Sequence, residues 1–179
     1  MDPNAAMIVA AIEQATRNML TSELKREAPP LNPKQPWSAH CSAMFRETMR
    51  QLRARGVPVS QDFVDENANA NELASRIEES PEWEEVDADE AQSLANQGVL
   101  VVGTWINPDL SRMGHLAIVY PIDVKRTGTK GSEPLVRDGN IHRNTGALSS
   151  YGTAPASKAF PTIQPQPQWF EYRHTMRRS

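Results

Sequence analysis

Cysteine is almost missing from this chain of 179 residues, with Cys41 as its only representative. A lone thiol excludes an intrachain disulfide, so the fold does not depend on an oxidising compartment, and it excludes a multi-cysteine zinc site. An excess of one charge sign is missing too. Lys and Arg number 19 against 22 Asp and Glu, for a net charge of -3. The basic residues are scattered apart from the terminal "RHTMRRS", which reads as a solvated tail, so nothing points to nucleic acid. No apolar run approaches the length needed to span a bilayer. The opening "MDPNAAMIVAAIEQATRNML" has an apolar stretch but no basic n-region, and Glu13 and Arg17 interrupt it. It is therefore not a standard signal peptide, and the chain is expected to be made in the cytoplasm without one. What is present, 39% hydrophobic and 23% charged residues, is the composition of one globular domain with a sizeable core.

Periodicity places the elements. Ile8, Val9, Ile12, Ala15, Met19, Leu20 and Leu24 recur at helical spacing, predicting an amphipathic helix over about 4–26. "APPLNPKQPW" then imposes a rigid, extended approach to the cysteine. Cys41, Met44, Phe45, Thr48, Met49 and Leu52 fall on one face of a second helix, with Gly56 placed to end it. Shorter helices are predicted around 70–79 and 89–97, the latter closed by Gly98. From there the pattern changes to strands: "VLVVGTW" (99–105), "HLAIVYP" (115–121), "EPLVRDG" (133–139) and "QWFEYR" (168–173). The small, turn-forming residues of "NIHRNTGALSSYGTAPASKAF" predict a long surface loop. There is no internal repeat. Helices first and an antiparallel sheet after define an α+β domain, with N-terminal helices packed on a small sheet.

Two short stretches carry chemistry. In "WSAHCSAMF" the thiol follows a candidate N-cap, Ser38, which would put Cys41 in the first turn of its helix. Unpaired backbone N–H groups and the helix dipole favour a thiolate there, and the same N–H groups suit an oxyanion. The competing reading is a small buried hydrophobe, the usual fate of a free cysteine. In "MGHLAIVYP", His115 follows a glycine at the start of a strand, a rigid platform with an open approach. A histidine merely ending a loop is the plain alternative. Nucleophile first on a helix and histidine later on a strand is the chain order of papain-like cysteine enzymes. His40, beside the thiol, points another way on the helix and reads as a cleft-wall residue. Trp37, Trp83, Trp105 and Trp169 read as core or cleft lining.

These stretches resemble the papain-like NlpC/P60 and CHAP superfamily of cysteine amidases and peptidases. "CSAMFRETMRQL" looks like its nucleophile helix, "GHLAIVYP" like its Gly-His strand, and "ANELASRI" with "WEEVDADEAQSLANQGVLVVGTW" like the spacer before its sheet. The resemblance covers about 35–140, which would be a papain-like (NlpC/P60-like) core. Residues 1–30 would add an N-terminal helix and 141–179 a loop and C-terminal strand to a single catalytic domain. It implies Cys41 as nucleophile and His115 as base. It also implies a polar third residue on the following strand to orient the imidazole, with Asp138 first, Asn140 second and His142 behind them. Asp138 also reads as a plain turn residue before Gly139. Gln35, six residues before Cys41, stands where papain-type peptidases keep an oxyanion-hole glutamine, to act beside the Cys41 backbone.

The function so implied is a peptidoglycan hydrolase that cleaves amide bonds of stem peptides with neither cofactor nor metal. Without a signal peptide it would reach the periplasm or wall of a target cell by secretion machinery or lysis, as a secreted antibacterial effector or a phage-type lysin. A cognate immunity protein would accompany an effector; nucleic acid and membrane are not expected partners. Two other classes stay open. The same pair serves effectors that deamidate or cleave intracellular proteins, and acyltransferases. A non-enzymatic adaptor would simply bury Cys41.

Overall fold

The computed structural model describes residues 1–22, 37–38, 40–122, 133–139, 141–142, 154–160 and 165–174. Helix α1, Pro3–Ser22, starts with a proline where a missing N–H costs nothing, and the Asp2 carboxylate accepts from the Asn4 N–H at 2.9 Å. Its buried stripe is Ala5, Ile8, Ala11, Ile12, Ala15 and Met19. Strand β1, Trp37–Ser38, leads into α2, Cys41–Ala54, which buries the face expected from its spacing. Gly56, at φ 91°, ends α2 by letting Val57 N–H reach back to the Leu52 carbonyl at 3.2 Å. A 3-10 turn, Gln61–Phe63, precedes α3, Ala70–Glu79, which opens on a reciprocal cap between Asn69 and Glu72.

Then come β2, Trp83–Val86, and α4, Ala88–Asn96. They are followed by β3, Val101–Trp105, β4, His115–Val119, and β5, Leu135–Arg137. The chain continues through β6, Ile141–His142, β7, Ala154–Pro155, the short α5, Ala156–Ala159, and β8, Gln168–Tyr172. Among the described residues the sheet runs β2-β8-β3-β4-β5-β7, with β1 and β6 pairing separately. Every pairing is antiparallel. The domain is α+β.

Both faces of the sheet are covered. Val102, Leu116, Ile118, Phe170 and Tyr172 join the core built by α1, α2 and α3. Val101, Ala117, Val119, Val136 and Trp169 face the other way, into a smaller core with Ala91 and Ala95 of α4 and Ala156 and Phe160. Double burial explains why the β3 and β4 stretches are continuous apolar runs rather than alternating ones. Strand β2 hides in the sequence for the opposite reason. Trp83 is buried while Glu84 and Glu85 are both exposed, so a four-residue edge strand with no alternation lies inside what reads as a polar spacer. Residues 140–160, read as surface loop, contribute β7 and α5 to the other edge, although 140 and 143–153 lie outside the described residues. The C-terminal strand β8 is interior to the sheet, between β2 and β3. None of the described helices is long and apolar enough to cross a membrane.

A buried polar cluster ties α1 to the sheet. Arg137, 5% exposed, donates to Thr16 Oγ1 at 2.7 Å and to Glu13 Oε1 at 3.0 Å. The Tyr120 hydroxyl donates to the same Glu13 oxygen at 2.8 Å, and the guanidinium lies 4.9 Å over the Tyr120 ring. Removing one partner of a buried ion pair leaves an uncompensated charge, a loss of about 3–5 kcal/mol when both are buried. Glu13 is about a third exposed, which weakens its side of the pair. Glu13→Ala should therefore lower unfolding free energy by about 2 kcal/mol, read as a reduced urea midpoint at unchanged slope.

Candidate active site

Cys41 is the first residue of α2. The cap position is occupied by His40, not by Ser38, which lies in β1, and no side chain caps the helix. The first helical hydrogen bond of α2 runs from Met44 N–H to His40 C=O at 2.8 Å. The N–H groups of 41–43 therefore have no acceptor within the helix, and their partial positive charge lies at the thiol. Cys41 is 5% exposed and belongs to the main core, as a packing cysteine would. Its neighbours set it apart: the sulfur interacts with the His115 imidazole and with the Leu116 backbone N–H.

His115 opens β4, directly opposite Trp105 of β3. The preceding Gly114 is confined; a Cβ there would lie 2.3 Å from Asn71 Oδ1 and 2.5 Å from the Trp105 carbonyl oxygen. Phe160 packs edge-on against the imidazole at 5.1 Å between ring centres. Nε2 faces Asp138 Oδ2 at 3.6 Å, an ionic contact longer than a hydrogen bond, which leaves Nδ1 as the nitrogen for the thiol.

Asp138 is the first residue past β5 and is buried. Gly139 follows at φ 73°, and a Cβ on it would sit 2.6 Å from Met44 Cβ and 3.0 Å from the His40 carbonyl oxygen. Only glycine accepts both that backbone conformation and that approach. The turn is thereby pressed against the first turn of α2. The pairing of Ser38 with Ile141 brackets the same region, since Cys41 and Asp138 each lie three residues from a member of that pair.

The electrostatics follow from the geometry. Burial disfavours a thiolate at Cys41, and the Asp138 charge adds to that. The hydrogen bond and charge of His115, with the Leu116 N–H, outweigh both and hold the thiol below its ordinary value. Burial likewise disfavours an imidazolium at His115, yet the contacts with Asp138 and Cys41 overcome it and push the pKa up to about 10. The two shifts have opposite signs and a common outcome, a thiolate–imidazolium pair.

Cys41, His115 and Asp138, far apart in the chain, thus meet in one place. His40 adjoins them at the cap. Gln35 and Asn140 lie outside the described residues, and of His142 the backbone alone is described, paired with Trp37. Among the described residues, no cluster of three or more His, Cys, Asp or Glu side chains is arranged to hold a metal. Sequence reasoning missed Phe160, the Leu116 N–H and Asn71. The first sits in a segment without periodicity, the second is backbone, and the third looks like any helix-surface amide. The Asp-Gly pair at 138–139 was a visible signal for a turn, but not for the helix it touches. Comparison with protein-family models and with curated proteins finds no match to this chain.

Thiolate absorbance in the ultraviolet, taken as the difference from Cys41→Ala, should persist as pH falls below the ordinary thiol value of 9.0. In His115→Ala burial acts on the sulfur without its partner, so the thiolate should vanish at higher pH than in the wild type. A wild-type titration at or above the ordinary value would remove the pair.

Proposed function

We propose that the protein is a papain-like thiol hydrolase that cleaves amide bonds in peptidoglycan stem peptides. One observation carries the reading: a buried thiol at a helix N-terminus interacts with an imidazole whose Nε2 faces a buried carboxylate. Chain order and the resemblance of the two flanking stretches to wall amidases support the substrate class.

The thiolate of Cys41 attacks the carbonyl carbon and the carbonyl π pair moves to oxygen. N–H groups of the first turn of α2 donate to that oxyanion. As the C–N bond breaks, the imidazolium of His115 gives its proton to the leaving amine, leaving a thioester and a neutral imidazole. The imidazole then takes a proton from water as the hydroxide adds to the thioester. Collapse expels the thiolate, releases the carboxylic acid and restores the ion pair. Asp138 orients the ring and stabilises the imidazolium in both halves.

The work is done in the wall of a target cell after delivery by a secretion machine or by lysis. An immunity protein in the producing cell would act by covering Cys41. The experiment is digestion of purified sacculi with mass analysis of the fragments. Cys41→Ala should abolish release, at a stability loss of about 1 kcal/mol for the void. Asp138→Asn should keep the fold and lower kcat roughly 100-fold or more. Periplasmic expression should lyse cells in a Cys41-dependent way while cytoplasmic expression is harmless. Intact sacculi with Cys41-dependent toxicity in the cytosol would replace the wall by intracellular protein substrates. A Cys41→Ala protein that still lyses cells would sink the thiol mechanism.

A further inference from the structure

The 3.6 Å contact with Asp138 does not pin the imidazole as a short hydrogen bond would, so the placement of the ring rests on Phe160 packed against it and on its own backbone. That backbone is held from another element. Asn71 of α3, 9% exposed, spans the base of the loop joining β3 to β4. Its Oδ1 accepts from Asn107 N–H at 2.9 Å and its Nδ2 donates to the Arg112 carbonyl at 2.8 Å. The loop makes its remaining bonds internally: Asn107 Nδ2 donates to the Met113 carbonyl at 3.2 Å, and Asp109 Oδ1 accepts from the Ser111 N–H at 3.1 Å and its hydroxyl at 2.6 Å. These internal bonds shape the tip without attaching it to the body. Gly114 then sits in a slot whose walls are Asn71 Oδ1 and the Trp105 carbonyl, too narrow for a Cβ. The residue after that slot is His115.

We propose that Asn71 is a positioning residue for the Cys41–His115 pair: by clamping both ends of the β3–β4 loop it seats Gly114 and so sets the imidazole between the thiol and Asp138. The inference rests on the reading of that pair as the reacting groups. Asn71 touches neither of them; it acts through the backbone of 107 and 112–115. A displacement of the base by about 1 Å costs on the order of 100-fold in rate, so a clamp at this distance is enough to govern turnover.

Three variants test it, with ultraviolet titration of the thiolate in the whole protein and with kcat and KM on purified sacculi. Asn71→Ala removes the clamp, Gly114→Ala overfills the slot, and Asp109→Ala removes bonds internal to the loop, among them the exposed ion pair with the Arg112 side chain at 3.2 Å, while keeping both bonds of the Asn71 clamp. The charges acting on the thiol, from His115, Asp138 and, more remotely, Arg46, are unchanged in all three. Asn71→Ala and Gly114→Ala should each shift the thiolate titration upward and lower kcat roughly 10- to 100-fold, with KM within about twofold because the binding surface is kept. Asp109→Ala should match the wild type. A merely structural role would lower the melting temperature and leave the titration of the folded variant alone, which would overturn the proposal. If Asn71→Ala does not fold, Gly114→Ala decides by the same reading. An ordinary thiol titration in the wild type would overturn the pair itself, and the positioning role with it. A depressed titration in the wild type that both variants retain would overturn the positioning role alone.

Discussion

A thiol carried out of water into a protein core stays protonated unless something close by favours its anion strongly enough to offset the lost hydration. At Cys41 that something is chiefly the His115 imidazole, which interacts with the sulfur and carries the opposite charge, and at His115 it is Asp138 together with the thiol. All three depend on the junction of α2, β4 and the end of β5 being held tightly. Most of the structure around the site can be understood as the means of holding it.

The means differ for each arm. The nucleophile is fixed by helix packing: Met44, Phe45, Thr48, Met49 and Leu52 anchor α2 in the core behind it. The histidine is fixed by the start of a ladder, by Phe160 against its ring and by the slot at Gly114. Asp138 is fixed from two sides. Gly139 presses its turn onto α2, and the preceding Arg137 is bound through Glu13 and Thr16 to α1. Helix α1 lies outside the stretch that resembles wall amidases, yet it grips the residue next to the proposed third member of the site. It therefore belongs to the working domain and not to an appendage.

Covering both faces of the sheet has a further consequence. Strand β4 runs between two cores, with Leu116 and Ile118 on one side and Ala117 and Val119 on the other. A strand buried on both faces has little freedom to slide, because a one-residue slip exchanges every side chain between unlike environments. The histidine at its open end inherits that register. Rigid support for the imidazole comes here from ordinary packing, beside a contact of 3.6 Å to its carboxylate.

Local pattern was enough for much of this. The 3.6-residue stripes of α1 and α2, the glycines after α2 and α4, and the apolar runs of β3 and β4 are consequences of nearest-neighbour geometry, so they stand in the sequence. Cys41 and His115 were legible as candidates because each sits at the edge of such an element. Other features depend on partners distant in the chain. Strand β2 exists because β8 pairs with it, Trp83 opposite Tyr172, and four residues with no alternation carry no such information alone. Phe160 and Asn71 became visible only when folding brought them beside a residue 40 or more positions away. The protonation state of the pair was likewise undecided by residue type, since burial pushes both groups toward neutrality and it is their proximity to each other and to Asp138 that opposes it. Sequence determined which residues were available for chemistry; tertiary structure decided which of them meet, because ionisation depends on distances that no local pattern encodes.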